Sequence, residues 1–150
     1  MSLLRRLSIS LIASLGIMLA AVVPASGEPT GGRPFTVELT GAAEVTASGV
    51  PNQGDPDGSG AASLTVNPGL RKVCWTIEVT GVDPITAAHI HFAPATTTGR
   101  VVVPLAPFTG GCTPISRELA IAIITNPGSY YVNVHNQPYP AGALRGQLDG

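Results

Sequence analysis

The sequence predicts an all-β fold, an antiparallel β-sandwich of about seven or eight strands with one short helix. Short segments alternate apolar and polar residues with a period of two, which is typical of strands with one buried face. Clusters of Gly, Pro, Asn and Asp separate these segments and mark turns. The chain is 44% hydrophobic and only 11% charged, with 18 glycines and 14 prolines, which suits a turn-rich β domain better than a disordered chain.

Seven segments fit the strand pattern. They are residues 35–40, 63–66, 73–80, 86–92, 100–105, 130–135 and 143–148. The third is the clearest, because Val73, Trp75 and Ile77 alternate with polar neighbours. Turn signals separate the segments, at residues 52–60, 67–69, 83–84 and 140–142. Seven short strands are the number expected of a β-sandwich.

One segment departs from the strand pattern and is interpreted as a short helix packed over an end of the sheet. Residues 116–124 begin with Ser116, which can cap a helix, and carry Glu118 in the first turn. The segment is followed by Asn126-Pro127-Gly128, a typical helix stop. Its β-branched residues leave a strand as the alternative.

The N-terminus has the pattern of a secretory leader. Arg5 and Arg6 precede a long apolar run, and small residues follow it. We predict a signal peptide at residues 1–25, with cleavage after Ala25 or Gly27, a flexible spacer at 26–34 and one domain at 35–150. A membrane anchor is the alternative, because the apolar run is nearly long enough to span a bilayer. Removal of the leader predicts a secreted or cell-envelope-associated protein that has no membrane segment.

Net charge narrows the class of partner. The full chain has 8 basic and 9 acidic residues, and loss of Arg5 and Arg6 leaves a formal charge of −3. A nucleic-acid-binding protein needs a basic face, so we expect no nucleic acid partner.

Cys74 and Cys112 are the two cysteines of the chain. In an exported protein such a pair most simply forms one disulfide, and closure of a loop of this length stabilises by about 3–4 kcal/mol in the chain-entropy model. A metal or redox site is the alternative, although the spacing is far from C-x-x-C. Strand phase places Cys74 on an outer face, so the bridge would hold residues 110–113 as a loop across the outside of the sandwich.

The three histidines lie in two of the predicted strands. Alternation places Ile90 and Phe92 toward the core and His89 and His91 on the outer face. By the same argument His135 projects outward from its own strand. If the two strands are neighbours, the three imidazoles lie close together.

Four further polar side chains share this outward phase and form a candidate surface patch with the histidines. They are Tyr131, Asn133, Arg145 and Gln147. The patch is the expected contact surface for a partner, centred on Tyr131, His135 and Arg145.

Two imidazoles at positions i and i+2 of one strand, with a third from another, can supply three nitrogen ligands. Zn(II) accepts three histidines with an open fourth position, and Cu(II) suits imidazole donors. His89, His91 and His135 are therefore candidate ligands for one copper or zinc ion. The alternative is that they are hydrogen-bonding side chains that tie strands and loops together, because no carboxylate lies in either histidine motif.

The motifs together resemble the CHRD domain, a module named for chordin, in the single-domain form found in secreted bacterial proteins. The resemblance covers residues 35–150 and rests on five stretches of sequence. They are Gly41-Ala42-Ala43-Glu44-Val45, Gly54-Asp55-Pro56-Asp57-Gly58-Ser59-Gly60, Val73-Cys74-Trp75, Ala87-Ala88-His89-Ile90-His91, and Tyr130-Tyr131-Val132-Asn133-Val134-His135 followed by Pro140-Ala141-Gly142-Ala143-Leu144-Arg145-Gly146-Gln147-Leu148.

The resemblance implies an immunoglobulin-like sandwich with limited similarity to Cu,Zn superoxide dismutases, and no generally established activity. The copper site of those dismutases uses four histidines, and their zinc site uses three histidines and an aspartate. A chain with three histidines in all does not supply a two-metal dismutase site. The chain also lacks a recognisable nucleophile–base–orienter set. We therefore expect a non-catalytic extracellular module that binds a protein or matrix component, with a mononuclear copper or zinc protein as the alternative.

Overall fold

The computed structural model of the protein describes residues 32–148. The predicted signal peptide, its cleavage sites and most of the spacer lie outside this range, as do Asp149 and Gly150. Within it, the chain forms eight strands, one α-helix and one short 3-10 turn. In chain order they are β1 (Arg33–Thr40), β2 (Ser59–Asn67), β3 (Lys72–Thr80), β4 (Ile85–Phe92), β5 (Arg100–Pro104), β6 (Gly110–Pro114), α1 (Arg117–Thr125), the 3-10 turn (Pro127–Ser129), β7 (Tyr130–Asn136) and β8 (Leu144–Gln147).

The eight strands form one antiparallel sheet in the order β5-β4-β7-β8-β1-β2-β3-β6. β1 and β8 are joined through a single residue pair, Thr40 with Arg145, whereas β1 pairs with β2 along all eight of its residues. This narrow junction divides the sheet into two four-stranded halves, β5-β4-β7-β8 and β1-β2-β3-β6. The predicted all-β class is confirmed, and the seven predicted segments correspond to β1–β5, β7 and β8.

Apolar side chains from both halves form one hydrophobic core. Leu39 and Val66 from one half and Ile90 and Val132 from the other are all completely buried. They occupy alternate positions of their strands, as a period of two requires. Burial of each such side chain contributes on the order of 1.5–3 kcal/mol, so the pairing of the two halves is driven by this shared core.

The predicted helix is present as α1. The hydroxyl of Ser116 accepts a hydrogen bond from the backbone N–H of Leu119 at 3.1 Å, which caps the first turn. At the other end the backbone N–H of Asn126 donates to the carbonyl of Ala122 at 3.0 Å. Ile123 is completely buried in the core, so the helix packs against the sheet through an apolar side. No helix among residues 32–148 has the length and apolar character needed to cross a bilayer.

The segment around Cys112 differs from its prediction. The sequence predicts a loop across the outside of the sandwich, but residues 110–114 form β6, an edge strand paired with β3. Cys74 and Cys112 are direct partners in this pairing and form the disulfide. The sequence does not predict this strand, because Gly110-Gly111-Cys112-Thr113-Pro114 has no apolar alternation. Since β6 belongs to the half that lacks the histidines, the bridge does not shelter them as the sequence suggested.

Phe92 also differs from its prediction. It has the same strand phase as the buried Ile90, yet 44% of its surface is exposed. It is the last residue of β4 and pairs with Arg100, the first residue of β5, and its ring lies against Tyr130 at 5.2 Å. Alternation gives the side of the sheet on which a residue lies, but not how far the opposing half extends to cover it.

Candidate metal site

The three histidines come together on the outer face of two neighbouring strands. β4 carries His89 and His91, and β7 carries His135. The antiparallel register pairs His89 with Asn133, and His135, two residues further along β7, therefore lies on the same face of the sheet. One ring nitrogen from each histidine lies within 4.8 Å of the others. The expected convergence of these residues is therefore present in the structure.

His91 forms the buried base of the cluster and is 8% exposed. Its Nδ1 lies 2.8 Å from the carbonyl oxygen of Gly99. Because a carbonyl oxygen can only accept a hydrogen bond, Nδ1 carries the proton and Nε2 presents a lone pair. This Nε2 atom is buried and has no hydrogen-bond partner within the described residues.

His89 and His135 form the more accessible part of the cluster, and a hydrogen bond joins them. The Nδ1 atom of His135 donates to the carbonyl of Pro140 at 3.1 Å, which leaves its Nε2 as an acceptor. The Nδ1 atom of His89 lies 3.2 Å from that Nε2. Two of the three imidazoles are therefore oriented by backbone carbonyls, as metal-bound histidines commonly are.

The three imidazoles all have lowered pKa values. Burial is the main cause in each case, because it disfavours the charged form. The neighbouring histidines lower the pKa of His89 further, and the charge of Arg145 does so for His91, while the carbonyl of Gly99 opposes the shift at His91. The shifts therefore favour the neutral form of the imidazoles, which is the form that metal coordination requires.

Tyr131 and Arg145 continue the site away from His91. The ring of Tyr131 stacks on the imidazole of His91, with centroids 4.8 Å apart and an interplanar angle of 12°. The guanidinium of Arg145 lies 3.6 Å from the centroid of the Tyr131 ring. Arg145 also donates hydrogen bonds to the carbonyls of Pro94 at 2.8 Å and Thr97 at 3.0 Å.

Three of the four residues of the candidate surface patch are buried, so the patch is not the exposed contact surface that the sequence predicts. Tyr131, Asn133 and Arg145 are each no more than 2% exposed. Gln147 is half-buried and donates to the carbonyls of Ala93 and Gly128. The loop at residues 93–99 and the β1–β2 loop cover this face. Strand phase predicted the side of the sheet correctly, but it carries no information about loops that fold back over it.

Glu44, in the β1–β2 loop, was not among the predicted site residues. It is 4% exposed and accepts a hydrogen bond from the side-chain amide of Asn133. Burial raises its pKa from 4.5 to about 7, although the charge of Arg145 opposes this. The motif at residues 41–45 contained this carboxyl, but a loop has no periodicity to indicate where a side chain points. Gly142 packs so closely that a Cβ there would lie 2.6 Å from the Glu44 carboxyl.

The comparison with known families agrees with these motifs. A family model described as the CHRD domain matches residues 35–148. The chain belongs to the CHRD family. No curated protein and no solved structure matches it significantly. CHRD domains occur in secreted proteins, which supports a role as an extracellular module.

The residues of this CHRD domain fit a transition metal ion. The cluster offers three imidazole nitrogens, and one of them has a buried lone pair to which no group in the described part of the chain donates a hydrogen bond. Zn(II) and Cu(II) both accept such a donor set. The group of candidate ligands within residues 32–148 contains no carboxylate, so positions beyond the three nitrogens would be left to solvent or an added ligand.

Proposed function

We propose that this CHRD domain is an exported, non-catalytic module that binds one Cu(II) or Zn(II) ion through His89, His91 and His135. The observation that carries the proposal is the buried Nε2 atom of His91, which has no hydrogen-bond partner among residues 32–148. It lies in a cluster whose three donor nitrogens are within 4.8 Å of one another. A bound ion would accept that lone pair.

The alternative, that the imidazoles only tie strands and loops together, explains part of this geometry. His91 and His135 each donate one hydrogen bond to a loop carbonyl. A purely structural histidine has no need of a second nitrogen left buried and unpaired, a situation that is rare in native proteins and costs about 1–3 kcal/mol. Metal binding accounts for both nitrogens of His91, since one orients the ring and the other is a donor.

The chemistry of the donors determines the class of ion. Neutral imidazoles suit zinc and copper, whereas Mg(II) and Ca(II) prefer oxygen ligands. When bound, the ion would supply Lewis acidity and, in the case of copper, redox chemistry at its open positions. The chain has three histidines in all, which argues against a two-metal dismutase.

Export and partner binding complete the proposal. The leader-like N-terminus and the family support an extracellular location, and a protein or matrix component remains the proposed partner. Tyr131 and Arg145 are buried, so a partner would contact other residues, such as the exposed Pro94 and Thr96 of the loop above them.

The test compares variants that separate the two roles of each ring. His91→Asn replaces the Nδ1–H donor by a side-chain amide that can donate to the carbonyl of Gly99, and it removes the second ring nitrogen. We expect it to weaken Zn(II) and Cu(II) binding by ~100-fold or more, beyond the range typical of outer-shell changes, with little loss of stability. Binding would be measured by competition with a chromophoric chelator and by electron paramagnetic resonance of the Cu(II) form.

A variant with all three histidines replaced by Asn or Gln should bind neither ion. Thr76→Asn, at an exposed position in the other half of the sheet, is the matched control and should bind as the wild type does. Failure of the wild-type protein to bind either ion, or equal binding by the triple variant, would overturn the proposal.

A further inference from the structure

The structure assigns a second role within this site, which rests on the proposed function. We infer that Tyr131 and Arg145 are positioning residues that hold the His91 ring in the one orientation that presents Nε2 as a donor. Neither residue touches the ion in this scheme. Both act through His91 and through the loop at residues 93–99.

The first argument is the stack itself. β7 lies between β4 and β8, and Tyr131 on β7 pairs with His91 on β4, while Arg145 reaches it from a diagonal position on β8, where it pairs with Asn133. The imidazole is nearly parallel to the phenol ring, and the guanidinium lies against the same ring at 3.6 Å. Tyr131 and Arg145 are almost completely buried, so the stack is enclosed by protein. A ring held in this way cannot rotate freely about its χ2 bond.

The second argument is that the stack and the loop share hydrogen bonds. The carbonyl of Gly99 accepts a hydrogen bond from Nδ1 of His91, and the backbone N–H of Gly99 donates to the hydroxyl of Tyr131 at 3.2 Å. His91 and Tyr131 therefore bind the same loop residue. A Cβ at Gly99 would overlap the carbonyl oxygen of Phe92, so the loop reaches this position only with glycine.

The third argument is the placement of Arg145. Its guanidinium donates to the carbonyls of Pro94 and Thr97, which lie in the same loop as Gly99. Burial of a guanidinium among neutral carbonyls is unfavourable unless the geometry is well satisfied. Arg145 therefore binds the loop at Pro94 and Thr97, whereas His91 and Tyr131 bind it at Gly99. The loop carbonyl that selects the His91 tautomer is thereby held in place.

The consequence is preorganisation of the site. A free imidazole can flip and exchange the positions of its two nitrogens, and binding must then select one orientation and tautomer. The stack and the Gly99 carbonyl make that selection before the ion arrives. Removal of such outer-shell support typically lowers metal affinity by ~10–100-fold.

The test uses graded variants of the full chain after removal of the leader. Tyr131→Phe keeps the stack and loses the hydroxyl, whereas Tyr131→Leu loses both. Arg145→Lys keeps the positive charge, which by itself opposes a cation, and loses the planar stacking group. Tyr130→Leu removes a ring of similar burial from the opposite face of the same strand and is the matched control.

Two readouts distinguish positioning from general stability. The first readout is metal binding. We expect the Zn(II) and Cu(II) affinities to fall by ~10–100-fold in Tyr131→Leu, and the shape of its Cu(II) resonance spectrum to change. Tyr130→Leu should show neither effect. The second is the ¹⁵N spectrum of His91 in the metal-free protein. It should show the Nδ1–H tautomer alone in the wild type and a mixture in Tyr131→Leu and Arg145→Lys. If Tyr131→Leu does not fold, Arg145→Lys, which loses the planar stacking group but keeps Tyr131, provides the same readout.

The outcomes separate the two proposals. Wild-type affinity and spectrum in a folded Tyr131→Leu protein would overturn the positioning role and leave the metal site intact. A wild-type protein that binds neither ion would overturn the proposed function, and the metal-free tautomer of His91 would still decide whether Tyr131 and Arg145 orient its ring. A tautomer unchanged in the variants would then reject the positioning role as well.

Discussion

Glu44 shows how one residue can lie in a quoted motif and still be missed as part of the site. Its carboxyl is buried beside Asn133, the strand neighbour of His89, and burial raises its pKa from 4.5 to about 7. Because the folded-state pKa is the higher one, the folded protein binds the proton more tightly than the unfolded chain does. The associated stability is complete below pH 4.5 and is lost as the pH rises toward 7.

We predict that Glu44→Gln removes this pH dependence. The stability of the wild type relative to the variant should fall by up to roughly 3 kcal/mol between pH 4.5 and pH 7.5, because each pKa unit corresponds to about 1.4 kcal/mol. The measurement is urea unfolding of both proteins across this range. The histidines are present in both proteins, so their contribution to the pH dependence cancels in the difference.

Glu78→Gln, at an exposed position on β3, is the control for loss of a carboxyl. A difference between wild type and Glu44→Gln that stays constant with pH would contradict the assignment of a raised pKa to Glu44.

At the scale of the elements, the β3–β6 pair lies apart from the histidines. The disulfide links Cys74 on β3 to Cys112 on the edge strand β6, across 38 residues of sequence. β4 and β7, which carry the histidines, lie in the other half of the sheet. The bridge and the metal site should therefore be independent.

We predict that the double variant Cys74→Ser, Cys112→Ser is less stable by about 3–4 kcal/mol in the chain-entropy model but binds Zn(II) with wild-type affinity. Urea unfolding and chelator competition measure the two quantities. Thr65→Ser, opposite Cys74 on β2, is the control that keeps the bridge. A parallel loss of metal affinity in a folded double variant would show that the bridge supports the site after all.

The whole molecule offers a probe of how the two halves are coupled. Trp75, the single tryptophan of the chain, lies on β3, whereas the three histidines lie on β4 and β7. Side chains from both halves form one core, so a domain of this size should unfold in a single cooperative step.

We predict that Zn(II) at a hundredfold excess over its dissociation constant raises the free energy of unfolding monitored by Trp75 fluorescence by about 2.7 kcal/mol. His91→Asn should show no such rise at the same concentration. If Zn(II) binds but does not raise the free energy of unfolding monitored by Trp75, the two halves unfold separately and the single cooperative step is wrong.

The sequence alone determined the class of fold, seven of the eight strands, the helix and the face of the sheet on which the histidines lie. These features follow from local alternation, capping and turn residues, which act over a few positions of the chain. β6 was missed because its glycines and cysteine carry no alternation. Phe92 was placed in the core because local phase does not reveal where the opposing half ends.

Only the tertiary structure decided what covers the histidine face. The loop at residues 93–99 and the β1–β2 loop bury Tyr131, Asn133 and Arg145, and they bring Glu44 to Asn133. These contacts join residues that are far apart in the chain and lie partly in loops without periodic patterns. Their positions follow from packing and hydrogen-bond satisfaction in the folded molecule. Three outward-facing histidines therefore form a partly enclosed cluster, with one buried nitrogen that has no partner among the residues that the structure describes.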